Sequence, residues 1–257
     1  MVHDKIRAVE HLLRATARAE ARHFWFRGFR AFVTPLLQHA TANRQHPLIL
    51  DCGCGTGANL ELLGQFGTAY GFDMSATGLA IGREMGRRRL ARASVTAMPY
   101  PAAAFDVATS FDVLYSLEDP DERAAVLEMY RVLKPGGFAV VNVAAMDALR
   151  GDHSVLSHEV RRYSRSMLAD RLVAAGFSVV RLTYTNFTLL PPLLVARALQ
   201  RRRGLRSEAE AHQEITVPAA PVNALMTGLL LLESAWVRRF DVPAGSSLLC
   251  LAQKPLG

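Results

Sequence analysis

The stretch LDCGCGTGANL, at residues 50–60, places three glycines at alternate positions beside an aspartate and two cysteines. Gly53, Gly55 and Gly57 allow a tight turn and let the backbone approach a ligand without side-chain clashes. A helical stretch follows the loop, and the free N–H groups at the start of a helix suit an anionic group. Asp73 follows about 20 residues later, the spacing at which an acid binds the ribose of a nucleotide cofactor. The loop is therefore predicted to bind a cofactor that contains a ribose.

Taken alone, the loop fits more than one kind of ligand. GCGTGA also matches the G-x-G-x-x-A form of the dinucleotide fingerprint, which leaves an NAD-linked oxidoreductase open. Asp51 closes the apolar run before the loop, where a carboxylate can face a ligand ammonium but would repel a pyrophosphate. The charge of Asp51 thus disfavours the dinucleotide. A purely structural glycine turn is the remaining alternative.

The elements that must position this loop are short apolar runs alternating with helical stretches. Strands are predicted at residues 47–51, 68–73, about 93–96, 105–111, 138–145, 177–185 and 246–254. Helices are predicted at residues 58–66, 76–91, 120–133 and 164–176. Strands separated by helices favour right-handed βαβ units. The expected fold class is α/β, a doubly wound, Rossmann-like sheet of seven mostly parallel strands.

Two regions lie outside this alternation. Residues 1–45 are predicted to form an N-terminal helical cap, and residues 186–245 a helical insertion packed over one end of the sheet on the substrate side. Residues 46–185 and 246–257 would form the core. The aromatic cluster HFWFRGFRAF of the cap is either core packing or a lid that excludes water, with Arg27 or Arg30 facing a cofactor carboxylate.

Four motifs, LDCGCGTG, GFDMS, MPYPAAAFDV and RVLKPGG, follow one another in this order. Together they resemble the class I S-adenosylmethionine-dependent methyltransferases of the small-molecule type, over residues 46–185 and the final strand. HFWFRGFR, H-x-x-R-R-Y-S and LLPPLL resemble a bacterial subgroup with an aromatic N-terminal helix. The resemblance implies S-adenosyl-L-methionine as cofactor and methyl transfer to O, N or C of a small metabolite. The apolar content of residues 186–245 favours a hydrophobic or amphiphilic acceptor.

The resemblance also implies a set of cofactor-binding positions. These are Asp51, Cys52, Gly53, Gly55, Asp73, Met74, Ser94, Thr96, Ala97, Met98 and Phe111. Asp51 and the loop backbone would surround the methionine part, Asp73 would accept the ribose hydroxyls, and Phe111 would border the methyl group. Ser94 stands where the family commonly has an acid, and Ser116 where it often has a histidine. A non-catalytic protein that binds a ligand or a partner is therefore the alternative.

The acceptor side is predicted from segments that would cover the carboxyl ends of the strands. His158, in the loop after the fifth predicted strand, is a candidate general base or hydrogen-bonding partner of the substrate, with a surface or structural histidine as the competing interpretation. The other candidate substrate residues are His153, Tyr115, Tyr163 and Trp25.

Composition narrows the function classes further. Three cysteines, an odd number, indicate no disulfide framework and favour a cytoplasmic location, and the lone Cys52–Cys54 pair predicts no metal site. The net charge of +7 points weakly to anionic partners, but the arginine runs lack the interleaved aromatic residues of a nucleic-acid groove. No stretch reaches the roughly 18 uninterrupted apolar residues of a membrane span. Peripheral membrane contact through residues 187–203 is a less favoured alternative to a small-molecule acceptor alone.

Overall fold

The computed structural model describes residues 14, 19–151, 154, 159–203 and 217–256. Its elements follow in chain order. They are α1 (Phe24–Thr41), β1 (Leu48–Cys52), α2 (Asn59–Leu63), β2 (Thr68–Asp73), α3 (Ala76–Glu84), β3 (Leu90–Arg92), β4 (Phe105–Phe111), α4 (Asp119–Val132), β5 (Leu133–Ala144), α5 (Arg165–Ala174), β6 (Ser178–Thr185), α6 (Leu190–Arg203), α7 (Ala220–Val237) and β7 (Ser247–Gln253).

The strands form one seven-stranded sheet in the order β3-β2-β1-β4-β5-β7-β6. Neighbouring strands are parallel except that β7 runs antiparallel to both β5 and β6. The Rossmann-like, mostly parallel fold expected from the sequence is confirmed. The strand order reverses between β1 and β4, so that their carboxyl ends border the crevice in which open α/β sheets bind ligands.

Each face of the sheet has its own hydrophobic core. One core lies under α4 and α5 and includes Leu50, Met129 and Leu168. The other lies under α1, α2 and α7 and includes Leu37 and Leu230. The predicted cap and insertion therefore share a core with the sheet, and α7 packs on a face rather than over one end.

A glycine allows the close packing of α1 on α7. A Cβ atom at Gly28 would collide with the Leu230 side chain, and Leu230 itself is fully buried. The N-terminal end of α7 is fixed as well, because Asn223 accepts a hydrogen bond from the Phe24 N–H at 2.8 Å and donates to the Arg22 carbonyl at 2.9 Å.

Two strands begin earlier than the sequence predicts. β3 spans Leu90–Arg92, not residues 93–96, because Ser94 closes a turn instead: its carbonyl accepts from Ala97 N at 3.2 Å, and its hydroxyl accepts from Thr96 N at 3.2 Å. Local side-chain bonds of this kind compete with strand pairing. β5 begins at Leu133, so that the KPGG turn lies inside it, where its register with β4 shifts.

Candidate cofactor and acceptor site

The glycine loop leaves β1 in a left-handed conformation. Gly53, Gly55 and Gly57 have φ values of +81°, +56° and +78°. The main-chain N–H groups of Gly53 and Cys54 both donate to the Phe72 carbonyl at 2.9 Å, which ties the loop to β2. A Cβ at Gly53 would lie 2.5 Å from Val113, whereas a Cβ at Gly55 would meet nothing within 4 Å. Gly53 is thus required by packing, and Gly55 borders open space that a ligand could fill.

Asp51 lies beneath the loop with a carboxylate oxygen that has no partner. Its Oδ1 accepts a hydrogen bond from Thr109 Oγ1 at 2.7 Å, but Oδ2 is buried without one. Burial raises the pKa of the Asp51 carboxyl to about 7, the Thr109 hydrogen bond opposes this, and the Asp73 carboxylate adds to it. A buried polar atom without a partner is costly. The α-ammonium of S-adenosylmethionine would supply the missing donor, so the residue present fits this cofactor.

Asp73, at the end of β2, is held in place by the main chain. Its Oδ2 accepts from Gly55 N and its Oδ1 accepts from Ser75 N, both at 2.8 Å. Ser75 in turn caps α3 through a bond from Gly78 N at 3.0 Å. A carboxylate has about four acceptor positions, so two remain for the two ribose hydroxyls that the family resemblance predicts Asp73 to bind.

The predicted adenine-binding residues are placed unevenly. Met74 is 66% exposed, and Ala97 is exposed as well. The Ser94 and Thr96 hydroxyls lie 2.8 Å apart and bind each other. Met98, by contrast, has its side chain in the hydrophobic core, and its N–H donates to Glu128 at 2.7 Å. Met98 therefore supports the turn from below, and its contact with adenine stays a prediction.

Cys52 also belongs to the core. Its side chain is 1% exposed and packs with Phe72, so only its main chain is available to the loop. Burial raises the pKa of both the Cys52 and Cys54 thiols, which keeps them protonated. Among the residues that the structure describes, no group of three or more His, Cys, Asp or Glu residues is placed to hold a metal ion.

A cavity of about 210 Å³ lies between the glycine loop and α1; we call it the cofactor cavity. Gly53, Gly55 and Phe111 line it on the sheet side, and Trp25 and Arg30 line it on the α1 side. Phe111 also meets Phe29 edge to face, with ring centroids 5.0 Å apart. Residues of α1 thus both pack on the sheet and cover the cavity, and of the two arginines considered Arg30 is the one in the lining.

Glu20 is a cavity residue that sequence reasoning missed. It lines the cofactor cavity, and its Oε2 has no hydrogen-bond partner, although Arg87 Nη2 lies 3.8 Å away. Burial raises the pKa of the Glu20 carboxyl, and the charges of Arg87 and Arg30 oppose that rise. No motif surrounds Glu20 in the sequence, so only the position of its segment against the loop identifies it.

A second cavity of about 270 Å³ adjoins the first; we call it the acceptor cavity. The two cavities share Trp25, Phe26 and Asp112. Tyr115 lines the acceptor cavity, so two of the predicted substrate residues, Tyr115 and Trp25, do border one space. The wall opposite the sheet includes Leu193 of α6. The acceptor cavity is therefore mainly aromatic and apolar around a few charged groups.

Asp112 is the charged group common to both cavities, and it is not among the site residues predicted from the sequence. It follows β4 directly and has a φ of +61°, uncommon for a residue other than glycine. Its Oδ1 accepts from Asn142 Nδ2 at 3.0 Å. Asp112 is exposed to solvent. Nearby protein atoms raise the pKa of its carboxyl by desolvation, the Asn142 bond and Arg162 oppose this rise, and Glu159 adds to it. The sequence signal that could have identified Asp112 is an acidic residue directly after the central strand β4.

Tyr163, another predicted substrate residue, is not among the residues that line the acceptor cavity. Its side chain is 1% exposed, and its hydroxyl donates to Glu122 at 2.6 Å. Arg161 binds the same carboxylate at 3.0 Å. The intervening Arg162 turns the other way, binds Glu159 at 2.9 Å and lines the cavity. Successive side chains of an extended segment point to opposite sides, which explains why Arg162 faces the cavity and its two neighbours do not.

The two histidines proposed for the acceptor side, His153 and His158, lie outside the described residues. His23 is a histidine that does line the acceptor cavity. Its Nδ1 accepts a hydrogen bond from Trp25 N at 3.2 Å, and burial lowers the pKa of the ring. Neutral His23 therefore carries its proton on Nε2, which makes that atom a donor.

Residues 50–141 match the family model described as a methyltransferase domain. The chain carries a class I S-adenosylmethionine-dependent methyltransferase domain. A demethylmenaquinone methyltransferase of Anoxybacillus flavithermus is 34% identical over 113 residues, which are 40% of this chain and 46% of that protein. The chain spans about half the length of the curated relatives it matches.

Solved structures agree on the fold of the methyltransferase domain. A possible histamine N-methyltransferase from Thermotoga maritima superposes with a TM-score of 0.59 at 17% identity, covering 96% of this chain and 98% of that one. A [4+2]-cyclase superposes with a TM-score of 0.56 at 23% identity, covering 88% and 81%. Because a cyclase shares the fold, the fold by itself does not fix the reaction.

Proposed function

We propose that the protein transfers a methyl group from S-adenosylmethionine to a proton-bearing O, N or C atom of a small, largely apolar molecule in the acceptor cavity. The observation that carries this proposal is the position of Asp112, whose side chain borders the cofactor cavity and the acceptor cavity together. The relative named for demethylmenaquinone supports an acceptor of the quinone class, and the aromatic lining of the cavity fits such a ring.

The cofactor supplies, when bound, a methyl group on a sulfonium sulfur. Asp51 would hold its ammonium through the unpartnered Oδ2, and Asp73 would hold the ribose through its remaining acceptor positions. Arg30 lines the same cavity and would attract the cofactor carboxylate. Trp25 and Phe26, shared by the two cavities, would exclude water from the reacting atoms.

Asp112 would remove the proton of the acceptor atom as that atom gains the methyl group. A carboxyl group with a raised pKa is more basic than an ordinary aspartate, and its ionised fraction can accept a proton. Asn142 fixes the carboxylate from β5, and the buried Glu159–Arg162 pair forms the adjacent wall. His158 remains a second candidate for the same role.

The first experiment is a calorimetric titration of the purified protein with S-adenosylhomocysteine, with NADH as control. We expect micromolar binding of S-adenosylhomocysteine alone. Binding of NADH alone would contradict the proposal in favour of an oxidoreductase, and binding of neither would favour a protein without this cofactor.

The second experiment tests Asp112 with a panel of hydroxyquinone, catechol and amine acceptors. Asp112→Asn should lower kcat at least 100-fold, since general-base catalysis contributes typically 10²–10⁴-fold, and should leave S-adenosylhomocysteine affinity unchanged. Asp147→Asn is the matched control, because Asp147 is an exposed acid just after β5 that pairs with Arg150. Equal turnover of the two variants would refute the role of Asp112, and binding without methyl transfer to any acceptor would refute the proposed reaction.

A further inference from the structure

α7 carries an apolar surface that the described fold leaves uncovered. Val222, Leu225, Leu232 and Trp236 are 44%, 66%, 73% and 58% exposed and recur at helical spacing; we call them the apolar stripe. The only charged residue of the helix, Glu233, is 5% exposed. The exposed side of this helix therefore carries no charge at all, whereas a solvent-facing helix surface is normally polar.

The inward side of α7 explains why Glu233 is absent from that surface. Its carboxylate accepts hydrogen bonds from Phe187 N at 2.8 Å and from Thr188 N at 2.9 Å, just before α6. Leu230 and Val237 are buried in the core that α7 shares with α1. By length and composition α7 could cross a membrane, which is weak evidence taken alone. Because these contacts hold the helix against the sheet, a membrane could meet the stripe only from outside.

Basic and aromatic residues stand together at the end of the stripe. Arg238 and Arg239 are exposed and follow the helix directly, and Phe240 packs on Trp236 with ring centroids 4.7 Å apart. The nearby Asp241 is paired with Arg181 at 3.2 Å. Tryptophan beside arginine, next to an uncharged apolar face, is the arrangement that suits the interface between lipid headgroups and acyl chains.

Charge distinguishes a lipid surface from a second copy of this chain. The protein has a net charge of +7, so two copies repel each other, whereas an anionic bilayer attracts the protein. We infer that the apolar stripe of α7, with Arg238 and Arg239, docks the protein on an anionic lipid surface. This inference is independent of the proposed methyl transfer.

Co-sedimentation of the full chain with vesicles tests the docking surface. Vesicles of phosphatidylcholine with phosphatidylglycerol should bind the protein, and vesicles of phosphatidylcholine alone should bind it at least tenfold more weakly. The double variant Leu232→Glu/Trp236→Glu should lose binding at least tenfold. Leu127→Glu is the matched control, because Leu127 is 53% exposed on α4, over the opposite face of the sheet, and should leave binding unchanged.

Two further measurements decide between the possible occupants of the stripe. Urea unfolding checks that the double variant is as stable as the wild type, so that a folding defect cannot imitate lost docking. Sedimentation velocity without lipid measures association of the chain with itself. A wild-type dimer that the double variant abolishes, with no vesicle binding, would assign the stripe to a second copy and overturn the inference. A wild-type protein that is monomeric and does not bind anionic vesicles would also overturn the inference.

Discussion

Asn142 and Asp112 are joined twice across the ends of β5 and β4. The Asn142 side-chain amide donates to Asp112 Oδ1 at 3.0 Å, and the Asp112 main-chain N–H donates to the Asn142 carbonyl at 3.0 Å. The main-chain bond holds Asp112 in its left-handed conformation, and the side-chain bond orients its carboxylate. Together they fix the one acid that both cavities share.

Removing the Asn142 amide should shift the pH dependence of turnover. In Asn142→Ala the charged form of Asp112 loses a hydrogen bond that stabilises it, so the pKa of Asp112 rises. The acid limb of the kcat profile should move to higher pH by roughly one unit. S-adenosylhomocysteine affinity at pH 8 serves as the control for folding. If the acid limb of the kcat profile does not move, Asp112 is not the group whose ionisation controls turnover.

Cofactor affinity should depend on pH through Asp51. Because the pKa of the Asp51 carboxyl is about 7, the group is mostly protonated at lower pH. It must then release this proton before it can bind an ammonium group. The affinity for S-adenosylhomocysteine should therefore rise from pH 5 to pH 7 and level off above. Asp51→Asn should bind at least tenfold more weakly at pH 8 and lose this dependence. Titrations at four pH values measure both effects, and a parallel pH dependence in the variant would contradict the assignment.

The same carboxyl should make the cofactor-free protein less stable as pH rises. Its pKa in the folded state is raised from 3.8 to about 7, so its contribution is fully present below pH 3.8 and is lost as pH rises to 7. The loss from Asp51 amounts to at most about 1.4 kcal/mol per pH unit. Urea unfolding at pH 4.5, 6 and 8 should give a smaller decrease for Asp51→Asn than for the wild type.

Two glycines with similar backbone conformations distinguish the effect of backbone strain from the effect of contact with the ligand. Gly55 and Gly86 have φ values of +56° and +80°, and a Cβ at either would meet nothing within 4 Å. Each change to alanine should destabilise the fold by about 1 kcal/mol through its left-handed conformation. Only Gly55→Ala places its methyl group in the cofactor cavity, so only that variant should lose S-adenosylhomocysteine affinity. Equal affinities would mean that the ligand does not approach Gly55.

Tyr163 and Tyr115 should respond differently to substitution. Tyr163→Phe leaves Glu122 without one of its donors and should lower the free energy of unfolding by about 1–3 kcal/mol. The KM for the acceptor should not change. Tyr115→Ala, which alters the lining of the acceptor cavity, should raise that KM. A higher KM for Tyr163→Phe would indicate that this residue contacts the acceptor.

The sequence predicted best where local pattern and fold agree. FDVATSF forms β4 over the predicted residues, and all seven positions are buried, as expected for a central parallel strand that is covered on both faces. The glycine loop was equally readable, since its left-handed turns require glycine. The three-residue edge strand β3 was misplaced because the hydroxyl bonds of Ser94 and Thr96 made a turn where propensity indicated a strand.

The acceptor side could not be read in the same way. Whether Arg162 or Tyr163 faces the cavity depends on one position of register against Ala144 and Ala145, which periodicity does not encode. The role of Asp112 depends on α1, distant in sequence, closing over it to create two adjoining cavities. Contacts between segments distant in sequence determine which side chains face the acceptor cavity, and no sequence motif predicts these contacts.

The position of β7 constrains how the chain can fold during synthesis. β6 has its sheet neighbour in β7, and β7 follows both α6 and α7 in the chain. Until the ribosome has delivered β7, the free edge of β5 lacks its antiparallel neighbour and β6 lacks a pairing strand. Such exposed edges bind chaperones or other chains readily. The nascent protein should therefore depend on β7 to become resistant to proteolysis.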